Sequence, residues 1–172
     1  MSEIALLTAV RNSIRDLSDF SDREVEIEFD ERAMQGIATK YVAVMPGGVT
    51  PGPYHNSSGG VSDKLYGVDV LVVKRGVSKP RDRARDLFLQ NSIGLGDLID
   101  AIETGVDFDY TVMNAANAII GGSEGFIEPL VFAGLGRIAT VDSSVFAGVP
   151  GENQAGLKRI LMLRRARRIK TR

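Results

Sequence analysis

The chain has 172 residues, 44% of them hydrophobic and none cysteine, with 21 basic against 22 acidic side chains and a formal net charge of −1. That length buries one core and fits a single domain spanning 1–172, while the lack of cysteine excludes a disulfide framework, a thiolate metal site and a cysteine nucleophile. The start, Met1-Ser2-Glu3-Ile4, carries no basic leader, and no window approaches the roughly 18 apolar residues of a membrane span, so a soluble protein made in a cytoplasm, without a membrane partner, is expected.

Ile4, Leu7, Val10, Ile14 and Leu17 recur at helical spacing, with Thr8, Arg11, Asn12, Arg15 and Asp16 on the other side, which predicts an amphipathic helix with Ser2 as its N-cap. Glu24 to Phe29 alternates acid with apolar, the period of a strand with one wet face, and its row of glutamates suits a sheet edge or a basic neighbour. A second strand is predicted from about Gly36 to Met45. It ends where Pro46 to Gly60 gathers three prolines and five glycines, which reads as a mobile arm over 46–62 instead of a regular element.

Leu65 to Lys74 follows as a strand, apolar on both faces over Val68 to Val73 except at Asp69, as a central strand covered on both sides would be. Ser78 and Pro80 open a predicted helix over Lys79 to Asn91, and Leu95, Leu98, Ile99 and Ile102 give a second, stopped by Gly105. Phe108 to Val112 and Ile127 to Phe132 are strand candidates, Ala115 to Ile120 is ambiguous, and Arg137 to Val141 is β-like. Gly156 to Arg168 reads as a closing basic strand. The order argues α+β: a mostly antiparallel sheet with an N-terminal helix and two central helices packed on it, plus extended loops.

Charge divides unevenly along the chain. Lys158 to Arg172 holds eight basic residues and no acid, leaving 13 basic against 22 acidic groups in the preceding 157 residues. A basic tail over 164–172 therefore leaves an acidic body, and such an end seeks an anionic partner unless it is simply solvated.

Catalytic signatures are weak. Gly134-Leu135-Gly136-Arg137-Ile138-Ala139 matches the loose dinucleotide fingerprint, but it leads into Thr140-Val141, which is β-like and not helical, so a hairpin connection is the better reading. His55 is the single histidine and lies in the glycine-proline arm with no second ligand for zinc. Asn56-Ser57-Ser58 is a sequon without a secretory signal to give it meaning, and Asp107 and Asp109 have the spacing of any wet strand face. No Walker-type lysine follows a glycine loop. No cofactor or metal is expected, and the chain reads as structural rather than enzymatic.

One stretch carries a family resemblance. The strand Tyr66 to Arg75, the helix start Ser78-Lys79-Pro80-Arg81-Asp82-Arg83 and the segment Gly94-Leu95-Gly96-Asp97-Leu98-Ile99-Asp100-Ala101-Ile102, set behind an N-terminal helix, resemble the core of the tail terminator and neck proteins of long-tailed bacteriophages. Gly156 to Leu163 is similar to their closing strand. The resemblance implies a virion protein, a ring of self-associated subunits, six expected, that caps the tail tube and meets the tail tube protein and the head-tail connector. DNA would pass through the ring without specific recognition. Interface candidates on this reading are Glu24, Glu26 and Glu28 on the first strand, Pro46, Tyr54 and His55 in the arm, and Arg164, Arg165, Arg167 and Arg168 in the tail. A head-tail connector or completion protein of the neck is the neighbouring alternative. A nucleic-acid-binding module using the basic end is the alternative of another class, although no aromatic lies between Lys158 and Arg172 to stack on bases.

Overall fold

The computed structural model describes residues 2–29, 40–56, 58–75, 94–122, 124–141 and 156–171. Helix α1 (Ser2–Arg15) is followed by a short 3-10 turn and then by strands β1 (Val25–Ile27), β2 (Lys40–Pro51) and β3 (Val61–Arg75). Helices α2 (Leu95–Gly105) and α3 (Tyr110–Ile120) come next, and strands β4 (Val131–Leu135), β5 (Ala139–Val141) and β6 (Gly156–Thr171) close the chain. The helix expected over Lys79 to Asn91 lies outside the described residues.

The sheet runs β1-β2-β3-β6-β4, with β5 also paired to β6. Among the described strands only β1 with β2 is parallel and the other pairs are antiparallel, so the fold is α+β with a mostly antiparallel sheet. Strand β3 is central and buried on both faces over Val70 to Val73, as its apolar run there requires. On one face Val68, Val70 and Val72 meet Leu7, Val10 and Ile14 of α1, Leu98 and Ile102 of α2, and Val112 of α3, forming the main core. On the other face Tyr41, Ala43, Leu71 and Val73 form a smaller buried cluster.

Several local expectations change. Ser2 is the first helical residue of α1 and a buried one, and its hydroxyl accepts a hydrogen bond from Arg168 Nη1 at 2.5 Å, so it ties α1 to β6 instead of capping a helix. The alternating stretch over 24–29 keeps only three residues in β1, because Glu24 ends the 3-10 turn by accepting the Ser21 backbone N–H at 2.8 Å. Phe108 to Val112 is not a strand: it turns into α3, whose apolar Val112 and Ala116 recur at helical spacing and face the core. Asp107 makes that turn, its carboxylate accepting the Asp109 N–H at 3.0 Å and the Thr111 hydroxyl at 2.7 Å. Changing Asp107 to alanine is expected to cost about 0.5–1 kcal/mol, read as a lower chemical-denaturation midpoint at unchanged slope.

The segment expected to be an irregular arm is the larger change. Residues Pro46 to Pro51 continue β2, and 61 and 62 belong to β3, so β2 and β3 form a long hairpin whose described tip residues are 52–56 and 58–60. The prolines are tolerated because this part of β2 lies on the sheet edge, and the glycines because they sit at a bulge. The bulge is shared. Pairing shifts register between Pro46 and Val49, between Tyr66 and Val68 against Leu163 and Ala166, and between Phe132 and Gly134, so an irregularity crosses four strands at one level. Beyond it, the ends of β2, β3 and β6 form a three-stranded arm.

Candidate functional site

The basic end is not a tail. Strand β6 extends to Thr171, and three of its four expected interface cations are engaged within their own chain. Arg164 Nη1 donates to Asp69 Oδ1 at 2.6 Å and to the carbonyls of Leu163 and Val68. Arg167 grips Asp63 with both ends of its fork, Nε to Oδ1 at 3.0 Å and Nη2 to Oδ2 at 2.9 Å, and reaches Glu128 Oε1 at 2.8 Å through Nη1. Arg168 binds Ser2 and the Glu124 carbonyl. Arg165 is exposed, at φ 75° on the bulge. The cause is topological: a cationic strand placed beside β3 finds Asp63 and Asp69 there, and a carboxylate inside a sheet needs a partner.

Asp63 is fully buried, and around it the hairpin tip is folded down. The Tyr54 N–H donates to Asp63 Oδ2 at 2.9 Å, His55 Nδ1 lies 3.1 Å from the Asp63 carbonyl, and the Tyr54 ring stands with its centroid 5.0 Å from the Arg167 guanidinium carbon. The Arg167 guanidinium holds the Asp63 carboxyl below the usual carboxylate range, with the Tyr54 N–H adding to the effect, although burial pulls the other way. Hydrogen bonds to Asp63 and Glu128 raise the Arg167 pKa in turn. A carboxylate held ionised by a bidentate arginine is a poor proton donor and a weak base, so the cluster suits fastening rather than acid-base chemistry.

The first-strand glutamates are likewise spoken for. Glu26 accepts from Arg15 at 2.8 Å, Glu28 accepts from the Tyr41 hydroxyl at 2.8 Å, and Glu24 lies 3.8 Å from Lys40 Nζ, which also donates to the Asp19 carbonyl. Burial, then the bond to Glu28, pushes the Tyr41 phenol up and keeps it a neutral donor. Pro46 lies at the bulge. The expected interface residues therefore fall into three separate places: the β1 edge, the bulge and the arm.

Gly134 and Gly136 open no helix and make no hairpin. Gly134 is in β4, the Gly136 N–H donates to the Ile160 carbonyl at 2.8 Å, and β4 and β5 run on as one interrupted edge strand along β6. Among the described residues no group of three His, Asp or Glu side chains is gathered as metal ligands would be, and no helix is long and apolar enough to cross a membrane.

Among the described residues, two open grooves lie on the helix-bearing face. One, of about 470 Å³, lies between the α2–α3 corner and β4, with Phe108, Leu130 and Phe132 as apolar lining and Glu103, Asp107 and Asp109 as acidic lining. The other, of about 370 Å³, lies where the arm passes the start of α1, and Lys64, Arg168 and Lys170 line it with Glu3 and Val49. Periodicity did not reveal either, since each combines residues from at least three elements. No protein-family model matches the chain, and neither does any curated protein sequence.

Proposed function

We infer that this protein is a structural subunit of a phage tail, a terminator-like ring component that caps the tail tube and joins it to the neck. The observation that supports this best is the division of the molecule into a closed core and a three-stranded arm fastened by the Asp63–Arg167–Glu128 cluster, beside two grooves of opposite charge. Rigid subunits that join through two different patches build rings or filaments. The resemblance of 66–75, 94–102 and 156–163 to tail terminators supplies the phage setting and the number six.

Native mass measurement of the purified protein, with electron microscopy of virions, tests the reading. A closed ring at the head-proximal end of the tail is expected; one copy per particle, or a location away from the tail and neck, would count against it. The neck connector is the alternative the same microscopy separates. A nucleic-acid module draws less support, since Arg164, Arg167 and Arg168 are bound to groups of their own chain. A salt-titrated DNA-binding assay distinguishes it.

A further inference from the structure

The two grooves are built on one strand. Leu161 and Leu163 of β6 line the acidic groove and Arg168 and Lys170 of the same strand line the basic one. Leu163 and Lys170 are about 23 Å apart at the usual rise of a strand. Strand β6 is paired to β3 along its whole length, from Gly156 to Thr171, so it cannot fold one groove onto the other. Whatever complementarity they have is available only between molecules.

That complementarity is specific. The described lining of the first groove has three acids and no base, and that of the second has three bases and one acid. Lys64 is exposed, and Lys170, whose nearest carboxylate is Glu124 at 3.6 Å, keeps 55% of its side chain open. Apolar surface accompanies the charge on both sides: Val131 and Phe132 are 46% and 55% exposed on β4 beside the acidic groove, and Val49 is 41% exposed on the arm. Exposed apolar side chains grouped on edge strands in this way are unusual on a surface that meets only water.

We propose that the acidic groove between the α2–α3 corner and β4 is the seat for the basic arm face of a second copy, with Lys64 and Lys170 meeting Glu103 and Asp109 and Val49 resting on Phe132. This rests on the ring reading and names the surfaces that would make the ring. The contact joins unlike patches, so every copy gives an arm and takes one, and the assembly closes or propagates. Charged rims set register and rate of encounter, while the apolar residues at the centre hold the contact.

The test uses the full chain with two variants, Lys64→Glu with Lys170→Glu, and Glu103→Lys with Asp109→Lys. Each alone presents like charges at every junction and is expected to weaken self-association at least about tenfold, measured by sedimentation. Thermal melting by circular dichroism checks that both remain folded. Mixed in equal amounts the two are expected to assemble, because the unchanged arm of one then faces the unchanged groove of the other, and reversed faces reversed. Undiminished association of either variant overturns the pairing, as does a mixture that stays apart, and in both cases the ring reading stands if wild type still forms rings. A wild type that is monomeric up to about 1 mM, at a Kd weaker than most specific contacts, overturns both.

Discussion

Replacing Asp63 by alanine is expected to lower the melting temperature by roughly 10 °C, more than most single changes in a chain of this size. Asp63 is fully buried and receives the two-pronged grip of Arg167 as well as the Tyr54 N–H. Its removal leaves the Arg167 guanidinium in a site only 11% exposed, with the Glu128 bond as its remaining ion pair among the described contacts. The tip of the hairpin should loosen first, so amide exchange over Tyr54 to Asn56 is expected to quicken well before the core residues Val68 to Val73 lose protection. Removing Arg167 as well should cost less than the two single changes together, because the second deletion takes away the charge that the first left unpaired.

Acid should act through the same residue. In the folded protein the Asp63 carboxyl titrates below its ordinary range, so between that value and the unfolded one, about 3.9, the unfolded chain binds more protons than the native one. Stability from this carboxylate is therefore complete above the unfolded pKa and is lost as pH falls through the folded one. Denaturation midpoints from about pH 6 down to pH 2 should fall more steeply for wild type than for Asp63→Asn, which has no proton to take up there. Parallel slopes would mean that the ion pair contributes nothing specific to folding.

What could be read from the residues depended on how far each determinant reached along the chain. Helix α1, strand β3 and helix α2 were legible because each has its own periodicity, and a local pattern of Leu7, Val10 and Ile14 or Leu98, Ile99 and Ile102 states which face is buried. The arm was misread for the opposite reason. Glycine and proline over 46–60 are breakers by local rule, but here an edge position spares the prolines from donating, a shared bulge uses the glycines, and Asp63 fastens the tip from outside the segment. The cationic end looked free because its partners, Asp63, Asp69 and Glu128, are between 39 and 104 residues away in sequence. One signal was present: Asp69 interrupting an apolar strand is a half-buried carboxylate in need of a cation. The two grooves had no such marker, since no single element carries either.

Gly47→Ala is expected to destabilise the protein by about 2–3 kcal/mol and to unfasten the arm from the core. Strands β2 and β3 lie close together where Gly47 faces Gly67, and a Cβ on Gly47 would stand 2.8 Å from both Gly67 C and Val68 N and 2.7 Å from Arg164 Nη1. The first two are backbone atoms that cannot turn aside, so relief must come from shifting a strand. A Cβ on Gly67 would likewise meet the Gly47 carbonyl oxygen and Arg164 Cδ, each at 2.9 Å. Arg164 lies across both glycines to reach Asp69, and displacing it leaves that carboxylate, only 24% exposed, without its guanidinium. Because the irregularity runs through four strands at this level, the strain falls on the direction in which the ends of β2, β3 and β6 leave the sheet. The arm should lose its set orientation at temperatures where α1 and the sheet on the core side of the bulge stay folded, so self-association would fall before the helical circular dichroism does. An alanine at 47 that melted like wild type would show that the strands can part here at no cost, and that the bulge is not what aims the arm.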